Sequence, residues 1–272
     1  MKFIFFGFSL NQNTQLQLFT PEKSKNEIFW DILSDNMEYK HYSDVKYVFD
    51  KKVDNYIVGQ IWRKSSKTIT EFKNDWFEDK KTTHYPHSLV IFNISEDYKT
   101  WWHRLMLEWK TEVFKNPIDQ IKFFENILNT KLQSFWYSLS FYPLFDECNF
   151  WKYIDSNSWK IEKLTFSYSV PNFLHLKTTL SQDLKDAQKR TSITNATVIL
   201  ENKNGSLDIK QWDEFIDQSV EYASKGAWEF RIKLRGIKAE YSSSKNIKSI
   251  TVDEIDINTT ASGIKSLFDK WI

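Results

Sequence analysis

Trp228-Glu229-Phe230-Arg231-Ile232-Lys233-Leu234-Arg235-Gly236 alternates strictly between apolar and charged residues. A period of two puts Trp228, Phe230, Ile232 and Leu234 on one face of an extended strand and Glu229, Arg231, Lys233 and Arg235 on the other. One face demands a core. The other spaces three cations about 7 Å apart, because every second strand residue rises by roughly that much. That interval suits a phosphate backbone and equally suits a solvated sheet face.

The residues around this strand extend the pattern. Asp208–Ala223 reads as a helix N-capped at Asp208 and stopped at Lys225-Gly226. Lys160–Val170 alternates through Ile161, Leu164, Phe166 and Tyr168 until Pro171-Asn172 ends it. Further strands are expected at Phe135–Leu144, Ala196–Glu201 (followed by an Asn204-Gly205 turn) and Ile247–Val252. Helices are expected at Asp146–Tyr153, Leu174–Lys189 and Ala261–Trp271. This order predicts an antiparallel or mixed sheet with helices on one face.

The N-terminal part gives strands at Lys2–Leu10, Tyr47–Phe49, Tyr56–Trp62 and Leu89–Ile94, with helices at Ser24–Leu33 and Thr68–Phe77. Between the halves, Tyr98–Phe114 and Ile118–Leu132 read as two aromatic-faced helices, the second opened by Asn116-Pro117. The expected fold class is α+β: two αβ lobes with mixed or antiparallel sheets, joined by aromatic-rich helices. The expected division is a domain over 1–115, a linking helix over 116–134 and a domain over 135–272.

Composition narrows the function. The 37 Lys+Arg against 36 Asp+Glu leave a net charge of +1, which argues against a globally basic nucleic-acid binder and leaves room for a local patch. Twelve Trp point to large packed or interface surfaces. A single cysteine, Cys148, excludes an intrachain disulfide and a cysteine zinc site and fits a reducing, cytoplasmic setting. Its acidic neighbours disfavour a reactive thiolate, so a buried structural cysteine is expected. No apolar run approaches the roughly 20 residues of a membrane helix. The apolar N-terminus is followed by Asn11-Gln12-Asn13 rather than a cleavage site, and reads as a first strand.

Catalytic chemistry finds little support. His84-x-x-His87 is a pair without further ligands, so no metal and no cofactor are expected. Glu108-Trp109-Lys110, with Asp97 upstream, has the acid-x-lysine order of metal-dependent nucleases. A helix over 98–114 would splay the two side chains by roughly 200°. Asp35, Glu38 and Lys40 form a second such pattern in a polar stretch. No Gly-x-Ser-x-Gly elbow or phosphate-cradling glycine loop occurs. No catalytic residue is assigned.

Basic residues remain. Arg231, Lys233, Arg235 and Lys238 lie on or just after the organising strand. Lys185 and Lys189 lie one turn apart in the helix expected at Leu174–Lys189, and Arg190 follows at its end. Together they would grip a nucleic-acid backbone through phosphates. Balanced by Glu201, Glu229 and Glu240, they would equally make a solvated face. Exposed aromatics beside them would favour single strands. Competing readings are an adaptor using Trp101, Trp102 and Trp109 as a partner surface, and a metal-dependent nuclease.

Two groups of segments carry a family resemblance. The first is Tyr47-Val48-Phe49, Tyr56-Ile57-Val58-Gly59-Gln60-Ile61, a Lys/Asp-rich segment read as a helix, and Pro86-His87-Ser88-Leu89-Val90-Ile91-Phe92. The second is Leu164-Thr165-Phe166-Ser167-Tyr168-Ser169-Val170-Pro171-Asn172, followed by the Asn204-Gly205 turn, a helix to Gly226 and the Trp228–Leu234 strand. In this order of elements the chain resembles the RexA-type phage-exclusion proteins and related bacterial phage-defence proteins. The resemblance implies a two-domain, self-associating, DNA-binding protein that acts in antiviral defence with a separate effector subunit and is not itself embedded in a membrane. It transfers no residue roles.

Overall fold

The computed structural model describes residues 1–12, 23–38, 45–73, 76–95, 103–169, 186, 190–191, 193, 195–224, 228–252 and 261–269. In chain order the strands are β1 (Lys2–Gln12), β2 (Met37–Glu38), β3 (Val45–Val53), β4 (Tyr56–Arg63), β5 (Ser65–Lys73), β6 (Trp76–His84), β7 (His87–Asn93), β8 (His103–Glu108), β9 (Tyr137–Pro143), β10 (Ile161–Ser169), β11 (Asn195–Glu201), β12 (Trp228–Leu234), β13 (Tyr241–Ser242) and β14 (Ser249–Thr251). Among the described residues the helices with defined bounds are α1 (Lys25–Leu33), α2 (Pro117–Leu132), α3 (Glu147–Asn157), α4 (Glu214–Ser224) and α5 (Ala261–Asp269). The class is α+β, and the strand pairings described are antiparallel.

An eight-stranded sheet runs β14-β1-β8-β7-β4-β3-β2, with β9 also on β1. One edge of β1 carries β8; the other carries β14 at Lys2–Ile4 and then β9 at Phe6–Gln12. Each side chain falls to one face or the other by the period of two. Phe6, Phe8, Leu105, Leu107, Val90 and Ile57 face a core closed by α1 and α2. Phe3, Phe5, Met106, Ile91 and Val58 face a second core closed by Ile264 and Phe268 of α5. A sheet apolar on both faces accounts for the large Phe content.

The helices covering it start where their sequences dictate. Ser24 and Glu27 form a reciprocal capping box on α1. Asn116 caps α2 and Pro117 occupies its first turn, where a missing N–H costs nothing. The inward face of α2 carries Ile121, Phe124, Ile127 and Leu128, each contributing about 1.5–3 kcal/mol by burial.

Glu125 on the same helix is half-buried, and desolvation raises its carboxyl pKa despite a hydrogen bond from the Phe141 backbone and the nearby Lys122. A raised acid pKa means that the folded state holds the proton more tightly than the unfolded state. The charged form therefore costs stability once pH rises above the ordinary carboxyl range, and costs none below it. Glu125→Gln is expected to raise the thermal midpoint at pH 7 and leave it unchanged near pH 3, as read by thermal melts at the two pH values.

The second sheet runs β11-β10-β12-β13. Its inner face packs Leu164, Phe166, Phe230 and Ile232 against Phe150 and Ile154 of α3 and Ile216 and Val220 of α4. Two elements of the C-terminal half, β9 and β14, are hydrogen-bonded into the first sheet, so residues 135–272 contribute to both sheets. Phe145 bridges to Ile247 where the chain crosses between them.

Several expected elements differ. Thr68–Phe77 is not a helix; it spans both strands of the β5–β6 ribbon. Residues 103–108, expected within a helix, form the central strand β8, whose Leu105 and Leu107 are buried on one face and Met106 on the other. Only α2 remains of the two joining helices among the described residues. The helix expected from Asp208 begins at Glu214, where Asp213 Oδ1 accepts the Ile216 N–H at 3.0 Å. Cys148, expected buried, is exposed in the first turn of α3 and donates its backbone N–H to Asp146 Oδ1 at 3.0 Å. No described helix is long and apolar enough to cross a membrane.

Candidate nucleic-acid interface

Because β10 and β12 both alternate and pair antiparallel, their charged residues share the outer face of the second sheet. Cross-strand rows follow from the register. Glu201, Lys163 and Lys233 form one row; Ile199, Thr165, Arg231 and Ser242 the next; Thr197, Ser167 and Glu229 the third. Arg235 continues the line past β12, its N–H donating to the Lys160 carbonyl at 2.8 Å.

The cations on this face are not equivalent. Arg231 is exposed and makes a forked contact with Glu229 two residues back, at 3.3 Å from Nε and 3.1 Å from NH2. That hydrogen-bonded carboxylate raises the guanidinium pKa still further. Glu229 Oε1 also accepts from Ser244 Oγ at 3.1 Å. Arg235 NH2 donates to the Gly205 carbonyl, pinning the Asn204-Gly205 turn. Lys163 and Lys233, half-buried and directly opposite each other, make no ion pair with any described residue. Glu201, across from Lys163, lies 3.9 Å from Lys203 instead. Like charges directly opposed across strands cost stability. An anion placed between them would relieve that repulsion.

The structure thus brings Arg231, Lys233 and Arg235 together and adds Lys163, which the sequence reading passed over. Its signal was available: in the alternation of 160–170 Lys163 has the same outward parity as Thr165 and Ser167. Lys238 is exposed in the turn after Gly236, whose φ of +74° suits glycine. Lys185 and Lys189 lie outside the described residues, as does nearly all of the helix expected at Leu174–Lys189. Arg190 is exposed, its Nε donating to the Asp186 carbonyl at 3.1 Å.

An exposed aromatic also stands at the end of the cation line. Trp159, 70% exposed, carries the Lys160 ammonium 4.0 Å from its ring centre. Since Lys160 is the backbone partner of Arg235, a π-face sits one residue from the basic ladder.

The remaining expected sites have other roles. Trp101 and Trp102 lie outside the described residues. Trp109 is half-buried against the first core, donates Nε1–H to the Phe114 carbonyl at 3.3 Å and lies under Lys2 at 4.7 Å. Its indole is spent inside the fold rather than on a helical partner surface. Glu108 and Lys110 do share a side, because they leave a strand end rather than a helix. Glu108 is buried, Oε2 accepts the Leu89 N–H at 3.0 Å, and Oε1 lies 3.0 Å from Lys110 Nζ, an ion pair without hydrogen-bond alignment. Asp97 and Lys40 lie outside the described residues, while Asp35 pairs with Lys131 and Glu38 with Lys46. His84 ends β6, and His87 opens β7 with its ring stacked on Trp62 at 4.4 Å. No group of three or more His, Cys, Asp or Glu able to hold a metal gathers among the described residues.

The chain matches no family model, no curated protein and no solved structure.

Proposed function

We propose that the protein is a non-catalytic nucleic-acid-binding protein of phage defence, holding a phosphate backbone on the outer face of its second sheet and acting with a separate effector. The Lys163–Lys233 pair carries the binding reading. Two lysines opposed on adjacent strands, in no ion pair with any described residue and flanked by Arg231 and Arg235, provide the positive charge a bridging phosphate needs. The exposed Trp159 favours a single strand, whose bases stack on an aromatic face regardless of sequence. The defence setting rests on the order of elements resembling the RexA-type proteins, without the Lys/Asp-rich helix of that order, which is the β5–β6 ribbon here.

Lys163→Glu/Lys233→Glu tests the site without touching Arg231 or Arg235, which serve Glu229 and the Gly205 turn. In fluorescence anisotropy with a labelled single-stranded oligonucleotide, affinity is expected to fall at least about tenfold. The log–log salt slope should shrink by about 1.4, the value for two lost phosphate contacts on a single strand. Trp159→Ala should weaken single-strand binding by about 1–3 kcal/mol and leave duplex binding alone. Unchanged affinity and slope in the double variant would sink this reading.

A further inference from the structure

The β4–β7 hairpin does not end at the sheet. Its strands continue as β5 and β6 through nine further cross-strand pairs, an arm about 30 Å long at roughly 3.4 Å per residue. Among the described residues β5 and β6 pair only with each other. An isolated two-stranded ribbon is marginal in water, and a long free edge is a template for another strand. Near its far end the arm exposes Phe72 (63%), Trp76 (75%) and Phe77 (66%), with Phe72 and Phe77 edge-on at 5.3 Å.

The arm's charge pattern narrows what covers it. Near the base, successive rows carry Lys67, Lys81 and Lys80; toward the tip they carry Asp79, then Glu71 opposite Glu78. Glu71, Glu78 and Asp79, against the single Lys73 of the last row, leave the aromatic end net negative, which repels phosphates, whether of nucleic acid or of anionic lipid. On β6 alone the order is Phe77-Glu78-Asp79-Lys80-Lys81, acids toward one end and bases toward the other. Such a strand complements itself when turned end for end.

We propose that the arm is a dimerisation element, in which two copies of this chain join antiparallel along their β6 edges. A two-fold axis normal to the ribbon must pass through a residue paired with itself, since opposed residues share a face. Centred on Asp79, it sets Lys80 against Glu78 of the second copy twice, two attractive pairs against the single Asp79–Asp79 repulsion on the axis. Centred on Lys80, it sets Lys81 against Asp79 of the second copy, also twice, against the single Lys80–Lys80 repulsion on the axis. In both registers Trp76 and Phe77 of one arm lie along the Lys81–His84 stretch of the other, which shields part of their surface from water. The pairing needs neither the second sheet nor the nucleic-acid reading.

Sedimentation velocity of the full chain over a micromolar concentration series tests it. The wild type is expected to dimerise. Lys80→Glu/Lys81→Glu and Glu78→Lys/Asp79→Lys each make the strand single-signed and should each raise the dimer dissociation constant by roughly a hundredfold or more. Mixed together, these two variants should form a heterodimer. Circular dichroism should match the wild type for both, since the altered side chains are exposed. A monomeric wild type, half-variants that still dimerise alone, or a mixture that stays monomeric would each overturn the proposal. So would a wild-type monomer that binds duplex DNA, or phosphatidylcholine–phosphatidylglycerol vesicles, through Trp76.

Discussion

Gly59→Ala is expected to destabilise the protein by about 3 kcal/mol, the upper part of the range for overpacking a full core. Gly59 lies mid-strand in β4, between Phe49 and Val90. A Cβ there would stand 2.5 Å from Tyr47 Cε2, 2.6 Å from its hydroxyl oxygen and 2.7 Å from Cζ. The ring has no easy retreat. Tyr47 is fully buried, packs edge-on against Phe124 at 5.7 Å, and donates its hydroxyl to the Leu33 carbonyl at 3.1 Å. Burial, with a smaller contribution from Asp50, pushes its phenol pKa well above the ordinary value, so the donor stays protonated. Moving the ring would leave the Leu33 carbonyl without this donor, at a further cost of about 1–3 kcal/mol if it stays dry. For a chain of this size, 3 kcal/mol corresponds to a thermal midpoint lower by roughly 6–12 °C. Adding Tyr47→Leu to Gly59→Ala should recover part of the loss, because the smaller side chain vacates the space. A midpoint within about a degree of wild type would show that the ring moves freely and that the site is not overpacked.

The elements most legible in the sequence are those half in water. Trp228–Leu234 and Ile161–Ser169 alternate because one face meets α3 and α4 and the other is polar, so period and face were both readable. Helix α2 was readable because Asn116-Pro117 marks its start and its apolar residues recur at helical spacing. Failures fell at the two extremes of burial. In β8, Leu105, Met106 and Leu107 are all buried, two toward one core and one toward the other. A strand apolar on both faces loses its alternation and reads like a buried helix. The ribbon fails in the opposite way: Thr68, Ile69 and Thr70 are all exposed, so no apolar face marks the period. Its β-branched Thr68-Ile69-Thr70 run favoured a strand nonetheless.

Those misreadings carried into function. A helix over 98–114 separates Glu108 from Lys110, whereas the strand end joins them as an ion pair. A helix over Thr68–Phe77 offers no arm, whereas the ribbon carries Phe72, Trp76 and Phe77 exposed at its far end. Lys163 required the cross-strand register, because a lysine on β10 gains meaning only when Lys233 is known to lie opposite it.

Phe230→Ala is expected to cost about 3–5 kcal/mol and to concentrate its effect on the second sheet. Phe230 is fully buried; its ring meets Phe145 at 4.7 Å, Phe150 at 5.0 Å and Tyr241 at 6.0 Å. These neighbours come from the crossing before α3, from α3 itself and from β13, so truncation removes the common packing partner of three elements. The second core is distinct from the two cores of the first sheet. Amide hydrogen exchange should therefore show protection falling in β10, β11 and β12 while β4 and β7 keep theirs. Oligonucleotide affinity should fall as well, although no charge is removed, because Phe166 and Phe230 are the register pair one row from Thr165–Arg231 and help hold Lys163 opposite Lys233. Equal loss of protection in both sheets would instead mean that β9, β14 and the Phe145–Ile247 bridge bind the cores into one cooperative unit. Loss of exchange protection without loss of oligonucleotide binding would detach the basic face from the strand that presents it.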